Sequence, residues 1–70
     1  MSDELQYHIG HKLNQARREK DMTQAEVAKH ASTSVNHYAK IERGEVTPSL
    51  KMLEKVVNAL DIKSSDVLPF

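Results

Sequence analysis

The sequence predicts an all-α domain. Apolar residues recur at three- and four-residue intervals in separate stretches, hydroxyl and acidic residues stand where helices would start, and no stretch alternates apolar with polar residues as a half-buried strand would. With 70 residues and no cysteine, the chain is expected to be one domain spanning residues 1–70, held by helix packing without disulfides or a thiolate metal site.

The first helix is expected from about Leu5 to Lys20, because Leu5, Ile9, Leu13 and Ala16 fall on one stripe. Ser2 or Asp3 would cap it, and Asp3 and Glu4 suit the positive end of its dipole. Gly10 lies inside this helix. A glycine there costs about 1 kcal/mol relative to alanine, which the close approach of another helix would offset. Arg17 follows Leu13 by one helical turn, so it shares the buried side and needs a partner. Asp21 and Met22 link to the next helix, with Met22 tucked against the core.

Thr23 and Glu26 have the spacing of a capping box, which starts the second helix; Val27, Ala28 and Ala31 give it an apolar face. The run Ser32-Thr33-Ser34 favours turns and caps over helix interior and stops it. Ser34 then caps a third helix, with Tyr38 and Ile41 facing inward and Gly44 closing it in the left-handed conformation. Two helices joined by so short a turn, over about residues 23–43, make a helix-turn-helix.

After a loop from Glu45 to Ser49, Pro48 either opens the fourth helix behind a Thr47 cap or precedes a cap at Ser49. That helix runs to about Leu60, with Leu50, Leu53, Val57 and Leu60 on one face and Val56 beside them, and it ends at Asp61. A short fifth helix around Ser64 to Leu68 returns Ile62, Val67 and Leu68 to the core. The final Val67-Leu68-Pro69-Phe70 is either a dimer patch or, through Phe70, a cover for the domain's own core.

A formal net charge of zero argues against a protein that binds polyphosphate by charge alone. The charge is nevertheless polarised. From Lys12 to Arg43 there are seven basic residues against four acidic, and after Gly44 three basic against four acidic. All four histidines, His8, His11, His30 and His37, fall within the first 37 residues.

Gln24, Ala28 and the run Ile41-Glu42-Arg43-Gly44, with Arg17 upstream and Thr47-Pro48-Ser49-Leu50, Leu53, Leu60, Ile62 and Val67-Leu68 downstream, resemble the Cro/phage-repressor (XRE-type) helix-turn-helix family. The likeness covers about residues 8–68. It implies a compact five-helix, lambda-repressor-like fold and a sequence-specific DNA-binding transcriptional regulator, expected to be a repressor. It also implies an ion pair between Arg17 and Glu42 that pins the first helix across the helix-turn-helix, and a DNA phosphate contact from Gln24 at the start of the second helix, where backbone N–H groups also meet an anion. Two positions depart from the family pattern. Ser32 stands where the turn usually has glycine, at a cost of roughly 1 kcal/mol if its φ is positive. Tyr38 stands where a smaller branched aliphatic is usual, so its hydroxyl needs a polar exit, for which a DNA phosphate is one candidate.

With Tyr38 and Ile41 inward, the third helix turns Ser34, Val35, Asn36, His37 and Lys40 outward. These types suit base reading: asparagine bidentate to adenine, valine against a thymine methyl, histidine donating to guanine N7, and lysine reaching guanine or the backbone. The bland alternative is a solvated helix face. Thr23 and Arg43 are further phosphate candidates. One such module makes few contacts, so a homodimer on a palindromic double-stranded operator is expected.

Other chemistries fare worse. Glu4, His8 and His11 share a helix face but have no fourth ligand, so a polar solvent face is favoured over a metal site, and no metal or cofactor is expected. The serines lie at caps and turns, with no serine, histidine and carboxylate in a shared geometry, so the chain is not read as an enzyme. No apolar run is long enough for a signal peptide or a membrane span, and a cytoplasmic protein is expected. The rival reading is a protein-interaction module, for example one binding an antitoxin-type partner, on the same fold with little DNA affinity.

Overall fold

The computed structural model describes residues 3–70, so the proposed Ser2 cap lies outside the described residues. Four α-helices follow one another: α1 (Asp3–Glu19), α2 (Gln24–His30), α3 (Val35–Glu42) and α4 (Leu50–Ala59). The fifth element is a single 3-10 turn, Ser64–Asp66, and not the expected α-helix. Three residues between Lys63 and Val67 leave room for one turn only, and the Asp66 carboxylate closes it by accepting the Lys63 N–H at 2.9 Å. The domain is all-helical among the described residues, as expected.

The starts of α2, α3 and α4 follow the hydroxyl pattern. Thr23 accepts the Glu26 N–H while the Glu26 carboxylate accepts the Thr23 N–H, completing the capping box, and Ser34 accepts the His37 N–H. Of the two alternatives for α4, Ser49 is the cap, accepting the Met52 N–H at 3.0 Å.

The ends of all four helices share one device. In each, a residue at positive φ follows the helix: Asp21 (55°), Ser32 (56°), Gly44 (73°) and Asp61 (55°). The next residue's N–H turns back to a carbonyl five positions earlier, Met22 to Arg17, Thr33 to Ala28, Glu45 to Lys40 and Ile62 to Val57. This is the Schellman arrangement, which satisfies carbonyls that the end of a helix would leave bare. Only one of the four sites uses glycine, and aspartate or serine occupies the rest at a conformational cost of about 1 kcal/mol each.

The core gathers Ile9, Leu13, Val27, Ala28, Tyr38, Ile41, Val56, Leu60 and Val67, with Leu5, Ala16, Met22, Ile62 and Leu68 packed around it. α3 lies against α1 and α2, and α4 packs on α2 and the 3-10 turn. Gly10 is where α1 meets the end of α3. A Cβ at Gly10 would stand 2.5 Å from the carbonyl oxygens of both Ile41 and Glu42, so the close approach expected of this glycine is present. Leu50 departs from expectation: it is 84% exposed, because the first position of α4 projects beyond the stripe formed by Leu53, Val56, Val57 and Leu60. Phe70 is equally exposed and does not cover the domain's own core, whereas Val67 is buried.

Candidate nucleic-acid interface

α3 divides sharply into two faces. Tyr38, Ala39, Ile41 and Glu42 are buried, while Val35, Asn36, His37 and Lys40 are exposed together with the cap residue Ser34. Val35 is 44% exposed, which leaves its methyl groups on the outer surface. Neither Asn36 nor His37 uses its side chain for a hydrogen bond among the described residues. Ser34 spends its oxygen as an acceptor at the cap, which leaves its O–H free to donate outward.

The short turn from Ala31 to Ser34 brings α2 beside this face. Thr23, Gln24 and Val35 line one open cleft together with Arg17, Arg18 and Asp21. The arrangement thus unites two of the expected phosphate contacts with the valine of α3. Arg18 was not singled out by the sequence. It follows Arg17 on the exposed side of α1 and adds a cation to the same cleft, opposed by the nearby Asp21.

Behind the cleft, Glu42 is the centre of a polar cluster. Arg17 Nε donates to one carboxylate oxygen at 2.7 Å, and Asn14 at 2.8 Å, Gln24 at 3.1 Å and Arg17 Nη2 at 3.3 Å converge on the other. Arg17 also donates to the Met22 carbonyl at 2.8 Å, which anchors the α1–α2 link. The ion pair that the family resemblance implied between Arg17 and Glu42 is formed, with the two side chains 15% and 3% exposed. Burial pushes the Glu42 carboxyl up, but the donors from Arg17, Asn14 and Gln24 outweigh it and hold the group below its ordinary value. The Glu42 hydrogen bond in turn raises Arg17 further above its already high value. Asn14 escaped the sequence reading, although its place three residues before Arg17 puts both on one side of α1.

Tyr38 corrects one expectation. Its side chain is fully buried and its hydroxyl, enclosed near Arg17 and Glu42, completes no well-formed hydrogen bond among the described residues. Burial, with the Glu42 carboxylate beside it, raises the phenol well above its usual range. A group so enclosed has no path to a DNA phosphate, so Tyr38 is a core residue and not a phosphate contact. Gln24 and Arg43 also have partners within the chain. Gln24 gives an N–H to Glu42, and Arg43 donates through Nε to Glu45 at 2.5 Å and through Nη2 at 3.4 Å. Thr23 keeps an exposed hydroxyl whose hydrogen is not used by the capping box.

A helix-turn-helix with an exposed α3 face, pinned from behind by α1, defines the class. The model of a helix-turn-helix family matches residues 13–68, and the chain belongs to this XRE-type family of non-enzymatic DNA-binding regulators. It is 37% identical over 60 residues to the immunity repressor protein of Bacillus phage phi105, covering 86% of this chain and 42% of that protein. The chain therefore spans less than half the length of that relative. Among solved structures it superposes on the clp gene regulator ClgR from C. glutamicum with a TM-score of 0.87 and 30% identity, covering 90% of this chain and 82% of that one. It also superposes on the restriction-modification controller protein C.AhdI from Aeromonas hydrophila with a TM-score of 0.87 and 25% identity, covering 90% and 96%.

Proposed function

We propose that this chain is a sequence-specific transcriptional repressor that lays α3 in the major groove of an operator. The observation that carries this reading is the outer face of α3, where Val35, Asn36 and His37 are exposed and the asparagine and histidine side chains have no partner among the described residues. An asparagine and a histidine on the first turns of such a helix meet base edges, while Val35 offers a surface to a thymine methyl. Ser34 and Lys40 extend the contact at either end. Thr23 and Gln24 take backbone phosphates, with Arg18 and Arg43 supplying charge. The likeness to a phage immunity repressor supports the sign of regulation.

The binding species is a two-fold homodimer on a palindrome, with its α3 helices about 34–36 Å apart. The exposed Phe70 and Leu50 provide apolar surface for self-association. Selection from random duplex DNA tests the whole reading, with Asn36→Ala run beside the parent. The expected result is an enriched palindrome whose preference relaxes at one position per half-site in the variant. No enrichment at any salt concentration, with identical weak binding by both proteins, would replace this reading with the protein-interaction module.

A further inference from the structure

Glu45 is an acidic residue in an awkward place. It is the third residue beyond α3, fixed there by its N–H to the Lys40 carbonyl at 3.0 Å. The carboxyl end of a helix carries partial negative charge, so an acid at this site gains nothing from the helix. Its carboxylate instead engages cations of the proposed DNA-binding surface. It accepts both hydrogen bonds from Arg43, and it also lies within the electrostatic reach of Lys40. Both partners of the Arg43–Glu45 pair are half exposed, at 54% and 50%, so the pair lies open to solvent and to a polyanion.

We propose that Glu45 is an intramolecular competitor for the DNA phosphate, an affinity-setting residue that occupies Arg43 in the free protein and must be displaced when the operator binds. The proposal rests on the DNA-binding reading above and deepens it. A phosphate approaching Arg43 meets a guanidinium whose Nε and Nη2 are already committed, and the released carboxylate then faces the duplex. Binding therefore gives up an ion pair and holds an uncompensated negative charge near the backbone. The consequence is an operator complex that is weaker, and less dependent on salt, than the count of basic residues implies. An operator from which the protein must dissociate readily would suit such a device.

The test is a double-mutant cycle on DNA affinity, using the parent chain, Glu45→Gln, Arg43→Gln and the double variant, each titrated against the selected operator and a random duplex. The expected result is that Glu45→Gln tightens operator binding about two- to ten-fold at low salt and steepens the dependence of log K on log salt by about one phosphate's worth, roughly 0.9. In the Arg43→Gln background the same change should gain much less, because there is no guanidinium left to release. An equal gain in both backgrounds would overturn competition in favour of simple repulsion between Glu45 and DNA. No gain in either would also overturn the proposal while the repressor reading stood. Loss of selective binding in the parent itself would count against the repressor reading, on which the proposal depends. Circular dichroism and thermal melts on all four proteins establish that the comparison is between folded molecules.

Discussion

Two arginine–glutamate pairs flank the end of α3, and they do opposite work. Arg17–Glu42 and Arg43–Glu45 have nearly equal contact distances, 2.7 and 2.5 Å. The first is largely buried between α1 and α3 and shares its carboxylate with Asn14 and Gln24; the second is half exposed and has no further hydrogen-bonded partner among the described residues. A surface pair is weakened by water and by the entropy of two long side chains, whereas removing one member of a buried pair strands the other. Identical chemistry is thus structural in one place and adjustable in the other, and burial decides which.

The largest test of this contrast is deletion of each carboxylate. Glu42→Ala leaves Arg17, Asn14 and Gln24 without their shared acceptor and should cost about 2–4 kcal/mol in urea unfolding, somewhat below a fully sealed pair because Arg17 keeps some solvent contact. Glu45→Ala should leave the unfolding midpoint within experimental error. Equal losses from the two variants would break the contrast.

Each pair also has a glycine beside it, and the two glycines should answer differently. Gly10→Ala drives a Cβ into the carbonyl oxygens of Ile41 and Glu42, which are backbone atoms and cannot rotate away. The helices must separate, at about 1–3 kcal/mol and with the buried pair lengthened. Gly44→Ala meets the Tyr7 ring at 2.8 Å, a side-chain contact that can turn aside, and the Tyr7 Cα at 3.1 Å, where α1 must give by a few tenths of an ångström; the rest of the cost is the positive φ, about 1–2 kcal/mol. Thermal melts rank the two, and a larger loss at Gly44 would contradict the account of α1–α3 contact.

Acid should act on the buried pair in the same direction as deletion, but less. The folded Glu42 carboxyl lies below its ordinary value of 4.5, so folding favours its ionised form. The associated stability is present above pH 4.5 and is lost as pH falls through the folded value. Urea midpoints between pH 7 and pH 3 should fall more steeply for the parent than for Glu42→Gln, which cannot titrate there. Parallel curves would remove Glu42 as the source.

Much of this molecule was legible because its signals are local. Thr23 and Ser34 announce helix starts by hydroxyl chemistry within three residues, Ser49 is one of the two caps the pattern allows for α4, and the stripes Ile9–Leu13 and Leu53–Val57–Leu60 name the core. The outward set on α3 followed from assigning Tyr38 and Ile41 inward. What escaped reading depends on tertiary placement. Leu50 fits the α4 stripe by spacing, yet among the described residues nothing packs over the helix's first position. Asn14 and Gln24 join Glu42 only after three helices have assembled, and Glu45 reaches Arg43 only because Gly44 reverses the chain between them. The fifth helix failed for a more local reason, since a segment closed by Asp66 onto Lys63 is complete after one turn.

The smallest expected effect asks where the buried cluster ends. Tyr38 places a hydroxyl beside Arg17 and Glu42, but that hydroxyl is enclosed without a well-formed hydrogen bond. An unsatisfied buried O–H costs free energy, and replacing it by hydrogen relieves that cost while opening very little space. Tyr38→Phe should therefore unfold within about 1 kcal/mol of the parent, on the stable side if either. In the parent, the Tyr38 phenolate signal should appear only as alkali opens the fold, because burial opposes its ionisation. A destabilisation comparable to that of Glu42→Ala would mean that the hydroxyl is a working member of the cluster, and the boundary between structural and dispensable polar groups would have to include it.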